Sequence, residues 1–257
     1  MELPRIKRQK SCTGFYHVFV RGINKEKIFN QVREKQYFKK IVKKHLDKYA
    51  VEIHAYCIMS NHAHLIIKSD EKSKLSSFMS NVLAEYAQYY NYKHNRNGHV
   101  FQNRFRSECI ESEKYYWNCI KYIHLNPVKA KMVLNASDYK YNSLGEYKKR
   151  GGGLLHENAI RNYKERFVNW EAYLNYHHLV NETIFIGMKE EIYMQKKEQA
   201  IKLLWEMKEQ DDIEEVIQII EDPILRKKYM NWLKEKLDLS KTETNRLYTE
   251  IEAEYII

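Results

Sequence analysis

Residues 54–68, His-Ala-Tyr-Cys-Ile-Met-Ser-Asn-His-Ala-His-Leu-Ile-Ile-Lys, constrain the fold more than any other stretch of the chain. Two β-rich runs, Ile53–Met59 and His62–Ile67, are separated only by Ser60 and Asn61, a spacing that predicts a tight antiparallel hairpin. Side chains alternate across a strand, so His62 and His64 leave on one face while Ala63 and Leu65 leave on the other, toward a core. Two imidazoles held side by side on a sheet form half of a divalent-metal site, and a third ligand must come from elsewhere. A bare His-x-His is more often an ordinary polar pair on a strand surface. The rest of the chain has to decide.

The elements around the hairpin define the class. Tyr16–Arg21 alternates and is closed by Gly22, which predicts a first strand. Val32–Tyr49 repeats apolar residues at helical spacing (Phe38, Ile41, Val42, Leu46) under a lysine-rich outer face, and 74–95 repeats Leu75, Phe78, Met79, Val82 and Tyr86 in the same way. After the Asn97-Gly98 turn a basic aromatic segment runs into a short strand, Ser107–Ile110. Ser112 is placed to N-cap a third helix carrying Trp117, Ile120 and Ile123, which Pro127 is expected to break or kink before a shorter helical piece. Strand, helix, hairpin, helix, strand, helix implies an α+β architecture: an antiparallel sheet with helices packed on it. Gly151-Gly152-Gly153 follows Lys148-Lys149-Arg150 and is the strongest linker signal, giving expected domains at 1–150 and 151–257. Beyond it the chain reads as a smaller all-helical domain, with helical periodicity over 183–209 and 213–239. Residues 239–246 could form a turn into a short recognition helix, a weak likeness to a helix-turn-helix.

Charge divides the chain at the same place. Residues 1–150 hold 29 Lys and Arg against 13 Asp and Glu, whereas the remainder holds 15 against 21. A basic front half implies contact with a polyanion, and 14 of the 21 tyrosines lie in it, as rings that unpaired bases can stack on. Arg21, Lys93, Arg96, Arg104 and Arg106 are candidate phosphate partners, and Tyr92 and Phe101 candidate stacking rings. The first ten residues are basic, within an expected unstructured arm over 1–13, and no apolar run approaches membrane-spanning length, so neither a secretory signal nor a membrane helix is expected. Four scattered cysteines without paired spacing read as reduced thiols in a cytoplasmic protein.

Tyr122 and Asn126 lie four residues apart on the third helix and so share a face. Across the His-x-His strand, a phenol beside an amide oxygen would complete a site of metal plus nucleophile: His62, His64 and Asn126 on Mg²⁺ or Mn²⁺, and Tyr122 on a phosphorus. Tyr122 alone is more often an ordinary helix tyrosine; only the combination carries weight.

These residues resemble a family. Ser60-Asn61-His62-Ala63-His64-Leu65, Gly98-His99-Val100-Phe101-Gln102-Asn103-Arg104-Phe105 and Tyr122-Ile123-His124-Leu125-Asn126-Pro127-Val128-Lys129-Ala130 look like the three signature blocks of the HUH single-tyrosine transposases, closest to the REP-associated tyrosine transposase branch. Tyr139–Leu144 and Tyr147 are similar to that family's closing block, so the resemblance covers roughly residues 12–148. It implies a ferredoxin-like domain that recognises a single-stranded DNA hairpin, and a metal-dependent endonuclease and strand-transferase that nicks through a 5′-phosphotyrosine and leaves a free 3′-hydroxyl. The family's histidines fall on His62 and His64, its nucleophile on Tyr122, and its helix-borne third ligand on Asn126, where relatives often carry Gln or His. Tyr115 and Tyr116 are upstream rivals for the nucleophile. The resemblance leaves monomer and homodimer both open. The competing readings are a catalytically silent, domesticated relative that binds nucleic-acid hairpins as a regulator, a histidine-triad hydrolase (which would need His where Ile66 stands), and a helical interaction protein.

Overall fold

A computed structural model describes residues 9–179 and 183–255, so most of the expected basic arm lies outside the described residues. The chain forms two compact units, residues 1–179 and 180–257. In the first, β1 (Phe15–Arg21), α1 (Val32–Tyr49), β2 (Glu52–Ile58), β3 (His62–Lys68), α2 (Lys72–Lys93), β4 (Arg106–Ile110) and α3 (Glu113–Lys129) follow one another. The four strands form one antiparallel sheet in the order β2-β3-β1-β4. Each helical crossover skips one strand position, so β3 lies between β1 and β2, and β1 between β3 and β4. This is the ferredoxin-like arrangement.

The hairpin and its alternation are as the sequence implies. On one face Val18 and Val20 of β1, Ile53 and Ile58 of β2, and Ala63, Leu65 and Ile67 of β3 join Phe38 and Ile41 of α1 and Phe78 and Val82 of α2 in one buried cluster. Each such aliphatic or aromatic side chain contributes roughly 1.5–3 kcal/mol by leaving water. The opposite face, which α3 crosses, carries His17, Phe19, His62 and His64. A register shift between Ile53 and Ala55 marks a bulge in β2, and His54 sits at it.

Helix α3 begins as expected, with the Ser112 hydroxyl accepting from the Tyr115 amide at 3.2 Å. The break expected at Pro127 does not occur: α3 runs through the proline to Lys129. Pro127 falls in the last turn, where its missing N–H removes one intrahelical bond, and the Ala130 amide still donates to the Asn126 carbonyl at 2.9 Å.

The glycine triplet is not where the two units part. Residues 151–179 belong to the first unit, with α5 (Glu157–Arg166) and α6 (Trp170–His178) following the short α4 (Leu144–Lys149). A buried relay joins α6 to α3: Ser143 Oγ lies 2.8 Å from His124 Nε2, His124 Nδ1 lies 3.0 Å from His177 Nε2, and His177 Nδ1 donates to the Tyr173 carbonyl at 2.7 Å. That last bond leaves His177 Nε2 to accept from His124, and His124 Nε2 to accept from Ser143. Aromatic packing of Trp117 with Phe167 and Tyr173 completes the attachment.

The second unit is helical: α7 (Lys189–Gln210), α8 (Val216–Glu221), α9 (Pro223–Lys236) and α10 (Lys241–Tyr255). The periodic stretch expected over 213–239 is two helices, because Asp222 caps α9 through its side chain and Pro223 opens it. Leu204, Met207, Ile219, Tyr229, Leu233, Leu247 and Ile251 form its core. Among the described residues no helix is long and apolar enough to cross a membrane.

Candidate active site

Two strands and one helix supply the site. His62 and His64 stand two apart on β3, 4% and 0% exposed, with ring centroids 5.2 Å apart and planes at 88°. Such crossed, buried imidazoles are a donor set suited to a divalent cation. In each ring the Nδ1 atom is engaged by a neighbour. His62 Nδ1 donates to Asn61 Oδ1 at 2.7 Å, and His64 Nδ1 lies 2.9 Å from His17 Nε2. With the protons on Nδ1, both rings turn the Nε2 lone pair into the role of ligand, which is how outer partners fix the tautomer of metal-bound histidine.

Tyr122 is on the face of α3 that meets these rings. Its centroid lies 5.3 Å from that of His64 and 5.9 Å from that of His17, both edge-on, and the side chain is fully buried. Asn126 is one turn on and 2% exposed, and its Nδ2 donates to the Tyr122 carbonyl at 3.1 Å. That bond uses one of the amide N–H groups and leaves Oδ1 as its acceptor atom. The rival tyrosines are committed elsewhere. Tyr115 donates to Glu108 at 3.1 Å, and the Tyr116 hydroxyl lies 2.8 Å from His54 Nδ1. Burial holds both phenols well above the ordinary tyrosine range.

The candidate DNA-contacting residues spread over a wider area. Arg21 is directly opposite His62 in the β1–β3 register, and Arg106 opposite Phe19 in the β1–β4 register, so both stand on the histidine face. Arg106 and Arg104 are exposed and Arg21 half-buried. Arg96 is tied down by an ion pair with Glu26 and lies 5.6 Å over the Tyr90 ring. Lys93 donates to the Tyr89 hydroxyl at 3.3 Å. Tyr92 is 88% exposed, a ring available to solvent, whereas Phe101 is half-buried against Phe29 and Tyr86.

Two residues of the site have no counterpart among the sequence-based candidates. His17 enters because β1 pairs with β3, and no local pattern announces that pairing. Asn61 reads in the sequence only as a turn residue, yet its side chain orients His62. Gly22 holds the surrounding backbone together. Its amide donates to the Asn61 carbonyl at 2.8 Å, it bridges to Phe101, and a Cβ there would lie 2.3 Å from the Glu26 carbonyl oxygen.

Comparison with known proteins adds the following. A solved structure described as a REP associates tyrosine transposase bound to a REP hairpin is 20% identical, with a TM-score of 0.47 over 58% of this chain and 87% of that one. A putative transposase from Deinococcus radiodurans R1 is 15% identical, with a TM-score of 0.34 over 48% of this chain and 95% of that one. No curated protein matches. The family model described as Transposase IS200 like matches residues 11–126, which contain the whole sheet, α1, α2 and α3 as far as Asn126. Over residues 11–126, rather less than half of its length, the chain is similar to the IS200-like transposases.

Proposed function

We propose that the protein is a metal-dependent single-stranded DNA nickase and strand-transferase acting at hairpin-associated sites, with Tyr122 as nucleophile and His62, His64 and Asn126 as metal ligands. The packing of the Tyr122 ring against His64 is the observation that carries this reading. The Asn61 contact, which puts the His62 proton on Nδ1, and the engagement of His64 Nδ1 by His17 support ligation through the two Nε2 atoms. A bound Mg²⁺ or Mn²⁺ supplies Lewis-acid polarisation of the phosphoryl oxygens.

The remaining work falls to the protein. Tyr122 gives up its phenolic proton, its Oη bonds to phosphorus, and the bond from phosphorus to the 3′ oxygen breaks, with that oxygen taking up a proton. The product is a 5′-phosphotyrosine and a free 3′-hydroxyl, and the ester remains open to attack by another 3′-hydroxyl, which rejoins or exchanges strands. Arg21 and Arg106, on the same sheet face, are placed to hold the flanking phosphates.

The test is a labelled hairpin oligonucleotide with Mn²⁺. Wild type forms a denaturant-resistant protein–DNA adduct, and Tyr122→Phe lowers its rate by at least ~10³-fold with little change in binding. Adduct formation by that variant at the wild-type rate would move the nucleophile to another residue. The complete burial of Tyr122 favours a second reading, a silent hairpin-binding regulator, in which wild type binds the same oligonucleotide and forms no adduct at all.

A further inference from the structure

The C-terminal unit carries a charged surface that the tyrosine–histidine site does not use. Residues 180–257 hold 12 Lys and Arg against 18 Asp and Glu, yet one groove in this acidic unit has no carboxylate in its wall. It runs between α9 and α10, encloses about 320 Å³, and has Arg226, Lys227, Lys234 and Lys241 along it with the amides of Asn231 and Asn245. Five of the other eight cations in the unit are paired with acids: Lys197 with Glu250 and Glu254, Lys202 and Lys236 with Glu206, Lys228 with Asp211, and Arg246 with Glu250. Among the described residues the four groove cations take part in no salt bridge.

That segregation has a cost. Like charges on one wall repel, and the abundant acids of this unit would relieve the repulsion if they were placed there. A bound polyanion offsets it instead. On α9 the positions 226, 227, 230, 231 and 234 recur at helical spacing and make one stripe. Lys227 and Lys234 stand about 10 Å apart along the axis, about three phosphate spacings of a duplex strand measured along its axis. No aromatic ring lines the groove, so it offers no platform for unpaired bases, in contrast to the tyrosine-rich first unit. Cations with amide donors suit a sugar–phosphate backbone. We infer that the α9–α10 groove is a second DNA contact, holding the phosphate backbone of duplex DNA independently of the nicking chemistry.

The experiment is fluorescence anisotropy with the full chain in EDTA, using a 20-base-pair duplex and a single strand of equal length. Lys227→Glu/Lys234→Glu/Lys241→Glu reverses the groove, and Lys189→Glu/Lys196→Glu/Lys208→Glu makes the same charge change elsewhere in the unit. The groove variant loses at least ~10-fold in duplex affinity and its salt slope flattens by about 3, whereas the control loses less than about 3-fold. The milder Lys227→Gln/Lys234→Gln shows an intermediate loss and guards against misfolding. Equal losses in both triple variants, wild-type duplex affinity in the groove variant, or displacement of the duplex by polyglutamate at matched charge would each overturn the inference. A loss confined to the single strand would overturn the duplex assignment.

Discussion

The two faces of one sheet are built to different rules. On β3, Ala63, Leu65 and Ile67 enter a dry cluster with α1 and α2, while His62 and His64, the residues between and beside them, turn toward α3. The first face is held by non-directional burial, which tolerates exchange of one aliphatic for another of similar volume. The second is held by directed contacts: His17 to His64, Asn61 to His62, Tyr116 to His54. Buried polar groups are stable only when their partners are in place, so this face is specified atom by atom. A period of two lets a single strand serve both ends at once.

Neighbouring substitutions on β3 separate these roles most sharply. Leu65→Ala should cost about 2–5 kcal/mol of stability in urea titrations, through lost burial and the cavity left behind. His64→Ala should abolish Mn²⁺-dependent adduct formation while moving the urea midpoint far less. If instead both variants unfold to the same extent, the histidine face is structural. His17→Phe comes next in size. Removing the partner of His64 Nδ1 should weaken Mn²⁺ binding by roughly 10–100-fold in calorimetry, with His17→Gln recovering part of it. Full affinity in His17→Phe would remove His17 from the site.

A smaller effect tests the side of α3 turned toward α6. Burial lowers the pKa of His124, and that of His177 to about 4, below the ordinary 6.5. The folded state therefore binds fewer protons than the unfolded chain between those values. Stability is fully present above about pH 6.5 and declines as pH falls toward 4, by an amount on the order of 3 kcal/mol. Urea midpoints measured from pH 7.5 to 4.5 should follow that slope, and His177→Gln should flatten it. A midpoint in wild type that is level over this range would mean the relay is solvated.

The sequence made the local parts of this design readable. The Ser60-Asn61 hairpin, the alternation that pairs His62 with His64, and the Ser112 cap all depend on residues within a few positions of one another. What escaped is non-local or competitive. The register of β1 against β3 brings His17 to His64, and nothing within either strand encodes it. Pro127 carries a real helix-breaking tendency, and continued packing of the last turn of α3 overrides it. The glycine triplet is a genuine turn, with φ of 123° at Gly151 and 89° at Gly152. Yet the His124–His177 relay, whose members are 53 residues apart, keeps the following helices with the first unit.

Gly22 limits how such a protein can diversify. The segments bearing Arg21, Asn61 and Phe101 meet at its backbone, and the Glu26 carbonyl leaves no room for even a methyl group. Substitution at Gly22 would therefore force these loops apart rather than let them be re-routed past one another. What can change at low cost are the side chains that the loops display, over a main-chain frame that stays fixed.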